Sequence, residues 1–214
     1  MSFTFPKLYP ILDASFIPAT GRAEFLRRLG GDLADAGVTL LEYRNKTVAE
    51  AELLADSAIL RAALPTGQVK LILDDRADLV EQVGFDGVHV DAGDMRPADA
   101  RKLLGPNRII GTFGGGAAGI VPGILEAPAD YFSIGPVFAT RTKQTASPLI
   151  GMEGIRRLRQ EAGAAPVLVA IGGITRTTSA EAFSAGASIV AVAGAIFRQP
   201  NPADEFRKWL AELG

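Results

Sequence analysis

The residues with the clearest capacity for chemistry lie in one segment, 134–143, which runs IGPVFATRTK. An apolar run, Tyr131 to Ile134, leads into it and predicts a buried strand. The Gly-Pro pair ends that strand, and two hydroxyl side chains and two cations alternate over the next four residues. Hydroxyls, backbone N–H groups and cations at the end of a strand can bind an anion. A solvated surface loop can have the same composition, so the elements around the segment must decide between the two.

Two carboxylates follow two neighbouring predicted strands. Asp75 comes just after the run Val69–Leu73, and Asp94 follows the run Gly87–Val90. Adjacent parallel strands lie about 5 Å apart, so the two carboxylates can meet above the strand ends. Such a pair suits Mg²⁺, which takes few protein ligands and completes its shell with water and phosphate. Two unrelated loop acids, one of them a helix N-cap, are the alternative.

Strand and helix patterns alternate eight times along the chain. The predicted strands are short apolar runs at 8–13, 38–44, 69–73, 87–90, 108–112, 131–134, 166–170 and 188–192. Helical spacing or composition predicts helices at 25–33, 47–64, 77–83, 97–104, 117–126, 154–162, 178–185 and 202–213. The helix at 117–126 is the weakest of these predictions, because Gly119, Pro122 and Gly123 interrupt it.

This alternation predicts an α/β fold with a parallel sheet covered on both faces. Eight units in about 210 residues fit a single-domain (β/α)₈ TIM barrel over residues 1–214. A doubly wound open sheet is the competing architecture, but it seldom needs eight equal repeats. In a barrel the functional groups lie at the C-terminal ends of the strands, and the polar clusters of this sequence fall there.

Small residues follow the last two predicted strands, as Gly172-Gly173 and as Ala193-Gly194. Barrels frequently bind a phosphate at this position through exposed backbone N–H groups. Tight turns also use glycine, but the location favours a phosphate site. Other polar side chains are predicted to surround the metal position: Arg44, Lys46, Lys143, Thr140 and Thr142. A metal with several cations indicates a polyanion such as a pyrophosphate.

Composition excludes several classes of function. The formal charge of −2 provides no basic field for nucleic acid. The absence of cysteine excludes disulfides, a thiol nucleophile and a thiolate metal site, and the one histidine, His89, cannot build a zinc site alone. No apolar run approaches the roughly 18 residues of a membrane span, and no signal-peptide pattern opens the chain. We expect a cytoplasmic protein with small-molecule substrates and neither nucleic acid nor membrane as partner; homo-oligomer formation is left open.

With these motifs the chain resembles the thiamine-phosphate synthase family, and the match runs through nearly the whole sequence in order. The motifs are Ala36–Leu40 with Arg44-x-Lys46, Asp75–Leu79, Gly87–Val90 with Asp94, the string GPVF-x-T-x-TK at 135–143, and Ile171–Ile174. The string at 135–143 is specific to the family. The Ile-Gly-Gly-Ile turn also occurs in other phosphate-binding barrels.

The resemblance implies transfer of a pyrimidinylmethyl group from its pyrophosphate to a thiazole phosphate, with pyrophosphate released. It implies that Asp75 and Asp94 hold Mg²⁺ on the pyrophosphate, and that Gly173, Ala193 and Gly194 bind the thiazole phosphate. Further substrate contacts are expected from catalytic Lys143, Arg44 and Lys46 and from Glu42, Asp74, Thr140 and Thr142. The leaving group departs first and the thiazole nitrogen traps the cation, so no cysteine or serine nucleophile is needed.

Five positions depart from the family pattern. The family usually has glutamine at Glu42, glutamate at Asn45, asparagine at Asp74, a Ser-x-His segment from Phe113 and a serine at Gly194. Glu42 and Asp74 add negative charge beside a polyanion, which disfavours its binding unless Arg44, Lys46 or Arg76 offsets it. Substrate identity and rate are therefore left open.

Three other functions are weighed against the synthase. A thiazole tautomerase would need a histidine in the loop after strand five, and residues 114–116 contain none. A non-catalytic paralogue that senses a phosphate metabolite is compatible with the five departures. A sugar-phosphate isomerase is disfavoured, because His89 alone leaves the strand ends without an acid–base pair.

Overall fold

Nine strands form one sheet in the computed structural model, which describes residues 3–46, 49–140, 142 and 147–214. They are β1 (Leu8–Asp13), β2 (Leu40–Arg44), β3 (Lys70–Asp74), β4 (Gly87–Val90), β5 (Ile109–Gly116), β6 (Gly119–Ile120), β7 (Tyr131–Ile134), β8 (Leu168–Ile171) and β9 (Ile189–Val192). All pair in parallel except β6, which pairs antiparallel with the end of β5. The order β4-β3-β2-β1-β9-β8-β7-β5 closes on itself through β4 and β5. The predicted (β/α)₈ barrel is confirmed.

Helices follow the strands and cover the outside of this ring. They are α1 (Arg22–Asp35), α2 (Glu50–Ala63), α3 (Val80–Val83), α4 (Pro97–Leu104), α5 (Gly151–Ala162), α6 (Arg176–Ser184), α7 (Gly194–Phe197) and α8 (Pro202–Leu213). Each longer helix turns an apolar stripe inward; in α1 this stripe is Leu26, Leu29 and Leu33. None of the helices in the described part of the chain has the length and apolar content that crossing a bilayer demands.

The predicted helix at 117–126 is wrong. Strand β5 continues to Gly116 and turns back into β6, and only a short 3₁₀ turn, Ile124–Glu126, follows. Gly119 and Gly123 have φ values of +109° and +71°, which a right-handed helix does not allow. The Ile120 N–H donates to Glu161 Oε2 of α5 at 2.9 Å, so the hairpin is tied to the neighbouring helix.

The sheet separates two apolar clusters, and the alternation of strand side chains decides which residues join each. Leu41 and Tyr43 face the large cluster under the helices, whereas Leu40 faces the smaller cluster inside the barrel. By the same period of two, Glu42 and His89 point into the barrel. The sheet therefore aims polar side chains of several strands at one interior space.

Candidate functional site

A cavity of about 540 Å³ opens at the C-terminal ends of the barrel strands. Eight of the predicted site residues line it: Glu42, Arg44, Asp74, Thr140, Thr142, Gly173, Ala193 and Gly194. Lys46, Asp75 and Asp94 are not lining residues of this cavity. Lys143, predicted as catalytic, lies outside the described residues.

Cations and carboxylates alternate at the ends of β1, β2 and β3. Arg44 forms an ion pair with Asp13, its register partner on β1, and its Nε lies 3.5 Å from Asp74 Oδ2. Lys46 Nζ lies 3.3 Å from the same Asp74 oxygen and forms an ion pair with Asp75. The extra charge of Asp74 is therefore offset by Arg44 and Lys46. Of the two cations, Arg44 lines the cavity.

Arg76 does not take part in this cluster. Its guanidinium forms ion pairs with Glu50 at 2.7 Å and with Asp78 at 2.6 Å. Both carboxylates are largely exposed, so Arg76 joins the start of α2 to its own loop. Arg76 therefore does not offset the negative charge of Glu42 or Asp74, because its own ion pairs are with Glu50 and Asp78.

Asp75 has an unusual backbone conformation. Its φ is +64°, and among the described residues it is the only non-glycine with a positive φ. Its N–H donates to the carbonyl of His89 at 2.8 Å, which holds it against the end of β4. Its Oδ1 is buried and accepts no hydrogen bond from the residues that the structure describes. A strained backbone that presents an unpaired carboxylate oxygen is typical of a functional position.

Asp94 organises the loop after β4. Its Oδ2 accepts the Asp91 N–H at 2.8 Å, and its own N–H donates to the Asp91 carbonyl at 3.2 Å. Within the described ranges, no group of three or more acidic, histidine or cysteine side chains is close enough to hold a metal. The pairing of Asp75 with Asp94 as metal ligands therefore stays a prediction.

A hydrogen-bonded chain of side chains crosses the interior below this rim. The Tyr9 hydroxyl donates to Glu42 Oε2 at 2.7 Å and lies 2.9 Å from the Tyr131 hydroxyl. The Tyr131 hydroxyl lies 3.1 Å from His89 Nδ1, and His89 Nε2 lies 3.5 Å from Asp91 Oδ1. These five residues line the cavity, and they come from β1, β2, β7, β4 and the loop after β4.

Burial and charge shift the pKa values within this chain. Burial raises the pKa of Glu42 to about 7, while the charge of His89 partly opposes the rise and that of Asp74 adds to it. Burial acts against the charge of His89, but the hydrogen bond with Asp91 and the charge of Glu42 outweigh it, so its pKa is raised. Burial and the Glu42 charge also raise the pKa of Tyr9 and Tyr131. The titratable side chains on the floor of the cavity therefore keep their protons to a higher pH than the same groups in water.

The opposite side of the mouth is built from small residues. In the closed ring β8 lies four strands from β3 in either direction, so the turn after β8 faces the end of β3, whereas β9 pairs with β1 and its turn lies between the two. Gly172 and Gly173 have φ values of +103° and +64°. The Phe138 N–H donates to the Gly172 carbonyl at 2.9 Å, which ties the loop after β7 to this side. A Cβ on Gly194 would lie 3.2 Å from Thr142 Oγ1.

Sequence reasoning missed five residues that contribute to the site: Tyr9, Asp13, Asp91, Tyr131 and Arg198. Strand alternation could have placed the two tyrosines inside the barrel. Tyr9 follows Leu8 and Tyr131 precedes Phe132, and these two apolar residues face the helices. His89 lies in the barrel wall, where its Nδ1 is 3.1 Å from the Tyr131 hydroxyl. Arg198 follows α7 and had no motif around it.

Comparisons with known proteins identify similar sequences and a similar fold. The family model described as thiamine monophosphate synthase matches residues 8–196. The thiamine-phosphate synthase of Koribacter versatilis is 39% identical over 206 residues, which covers 94% of each chain. That of Chloroflexus aurantiacus is 34% identical over 190 residues, covering 89% of this chain and 84% of the relative. The solved thiamine phosphate pyrophosphorylase from Pyrococcus furiosus has a TM-score of 0.73 at 28% identity, with 97% of each chain covered.

Proposed function

This chain belongs to the thiamine monophosphate synthase family, and we propose that it is the transferase that condenses a hydroxymethylpyrimidine pyrophosphate with a thiazole phosphate. The products are thiamine phosphate and pyrophosphate. One observation supports this function most directly: a single cavity is lined by Arg44 and Asp74 at the ends of β2 and β3 and by the glycine turn after β8 on the opposite side. Two anionic substrates can bind there with their reacting atoms between the two sides.

Arg44 and Lys46 act on the leaving group in this proposal. The bond between the pyrimidine methylene carbon and the pyrophosphate oxygen breaks, and the electron pair leaves with the pyrophosphate. Guanidinium and ammonium groups stabilise the charge that develops on those oxygens. Lys143, Thr140 and Thr142 are proposed to complete the contacts from the loop after β7. The protein supplies no nucleophile, since the thiazole nitrogen forms the new bond.

The acids at the ends of β3 and β4 fit Mg²⁺ as a cofactor. Asp75 offers a buried oxygen to which no described residue donates a hydrogen bond, and Asp94 lies one βα unit further along the chain. We propose that these two carboxylates hold the ion. When bound, it would neutralise charge on the pyrophosphate.

We assign the alignment of the two substrates to residues on the floor of the cavity and to the turns after β8 and β9. Glu42 and Asp74 face the polar edge of the pyrimidine, and burial keeps Glu42 largely protonated below neutral pH. Backbone N–H groups of Gly173, Ala193 and Gly194 are proposed to bind the thiazole phosphate. Holding both reactants in one geometry replaces a bimolecular encounter with an intramolecular step, which is a large part of the barrier reduction.

Pyrophosphate release from the paired precursors, with and without Mg²⁺, tests this function. Asp75→Asn and Lys143→Ala are expected to lose Mg²⁺-dependent release. Arg207→Gln is the matched control, because Arg207 is exposed and contacts Asp204 on the same helix. A folded protein that binds thiazole phosphate without releasing pyrophosphate would instead be a sensor. The proposal includes a cytoplasmic location, which cell fractionation tests.

A further inference from the structure

We propose that Arg198 binds the phosphate group of the acceptor substrate, and that position 194 is glycine because a side chain there would displace the Arg198 guanidinium. This inference rests on the function proposed above and adds a side-chain ligand to a subsite otherwise made of backbone. It concerns a residue that no sequence motif identifies. The chemistry it recognises is a phosphate monoester.

The position of Arg198 is set by aromatic packing. Its Cζ lies 4.9 Å from the centroid of the Phe16 ring, which is a cation–π distance. Phe16 belongs to the 3₁₀ turn Ala14–Phe16 after β1, and its ring is stacked on Phe197 at 6.3 Å with an interplanar angle of 19°. The guanidinium is thus held between the ends of β1 and β9, where it lines the cavity. This support reduces the side-chain entropy lost when an anion binds.

Gly194 provides the space for this arrangement. A Cβ at position 194 would lie 3.0 Å from Arg198 Nε and 3.3 Å from its Cδ. The same Cβ would lie 3.2 Å from Thr142 Oγ1. Contacts this close are tighter than almost all real Cβ contacts, so a neighbour must give by a few tenths of an ångström. A side chain larger than a methyl group at position 194 would therefore push away the Arg198 guanidinium or the Thr142 hydroxyl.

The charge of Arg198 has no carboxylate to neutralise it in the described part of the chain. Arg44, by contrast, contacts both Asp13 and Asp74. Arg198 follows the short helix α7 after β9. A dianionic phosphate at the glycine turns would meet a cation with planar N–H donors that suit its oxygens. The acceptor's phosphate is the anion that the proposed reaction brings to this side.

Steady-state kinetics of Arg198→Gln and Arg198→Lys with both substrates test the proposal, and Arg207→Gln again serves as control. For Arg198→Gln we expect KM for thiazole phosphate to rise about tenfold, the low end for an exposed charged hydrogen bond. KM for the pyrimidine pyrophosphate should change less than twofold. The preference for thiazole phosphate over the unphosphorylated thiazole alcohol should fall by the same factor. Equal changes for both substrates, or no change, would overturn the proposal.

Calorimetric titration of thiazole phosphate separates this inference from the proposed function, because it needs no turnover. A wild-type protein that binds the phosphate without catalysis would refute the synthase assignment, and weaker binding by Arg198→Gln would still support the role of Arg198. Unchanged binding by that variant would refute it. Gly194→Ser should weaken the binding of thiazole phosphate by the wild-type protein. It should weaken binding less in a protein that already carries Arg198→Gln, because the effects of substitutions at contacting residues do not add. Full additivity would contradict the displacement of Arg198 by a side chain at 194.

Discussion

Glu42→Gln is expected to stabilise the protein at alkaline pH and to leave its stability nearly unchanged in mild acid. Glu42 is 3% exposed, and burial raises its pKa to about 7 from an ordinary value of 4.5. The folded protein therefore holds this proton more tightly than the unfolded chain. The resulting stability is fully present below about pH 4.5 and is lost as the pH rises through about 7.

The magnitude follows from the two pKa values. Their difference, at 1.36 kcal/mol per pH unit, corresponds to about 3 kcal/mol between pH 4.5 and pH 8 or above. The glutamine amide has nearly the same shape and can still accept the Tyr9 hydroxyl through its oxygen, but it carries no charge to bury. Because the carboxyl is neutral at pH 5, the two proteins should be similar there. At pH 8 the variant should be more stable by about 2–3 kcal/mol.

Urea unfolding between pH 5 and pH 8.5 measures this difference. The single tryptophan, Trp209, is 1% exposed and reports unfolding by fluorescence. Glu153→Gln is the control, since that carboxylate is exposed and should not change the shape of the pH profile. Parallel profiles for wild type and Glu42→Gln, or a variant that is less stable at pH 8, would refute the assignment of a costly buried carboxylate.

Three further substitutions test one site residue and two contacts of the barrel wall. Asp74→Asn removes a charge that Arg44 contacts, so KM for the pyrophosphate substrate should fall several-fold in initial-rate assays; a higher KM would contradict this reading. Tyr43→Phe removes a hydroxyl that donates to the buried Asp56 carboxylate, and urea unfolding should show a loss of about 1–2 kcal/mol. An unchanged midpoint would mean that this contact contributes nothing. Gly111→Ala adds a Cβ that overlaps the tyrosine ring of β7, so stability should fall by about 3 kcal/mol, and a neutral result would show that the ring can move.

The sequence determined the architecture because the signals for it are local. Apolar runs of four to seven residues separated by helical spacing predicted every strand of the barrel, and the runs at 87–90 and 131–134 coincide with β4 and β7. Asp75 could be located because it follows its strand directly. The hairpin at 114–120 was missed, since β6 is only two residues long and pairs with the end of β5.

The tertiary structure alone decided which residues meet inside the barrel. Tyr9 and Tyr131 are 122 residues apart in the chain and lie 2.9 Å apart between hydroxyl oxygens. Arg198 likewise reaches Phe16 from the far end of the sequence. Side-chain alternation specifies only the face of a strand that a residue occupies. Contacts across the interior depend on ring closure and strand register, which the packing of all eight barrel strands sets together.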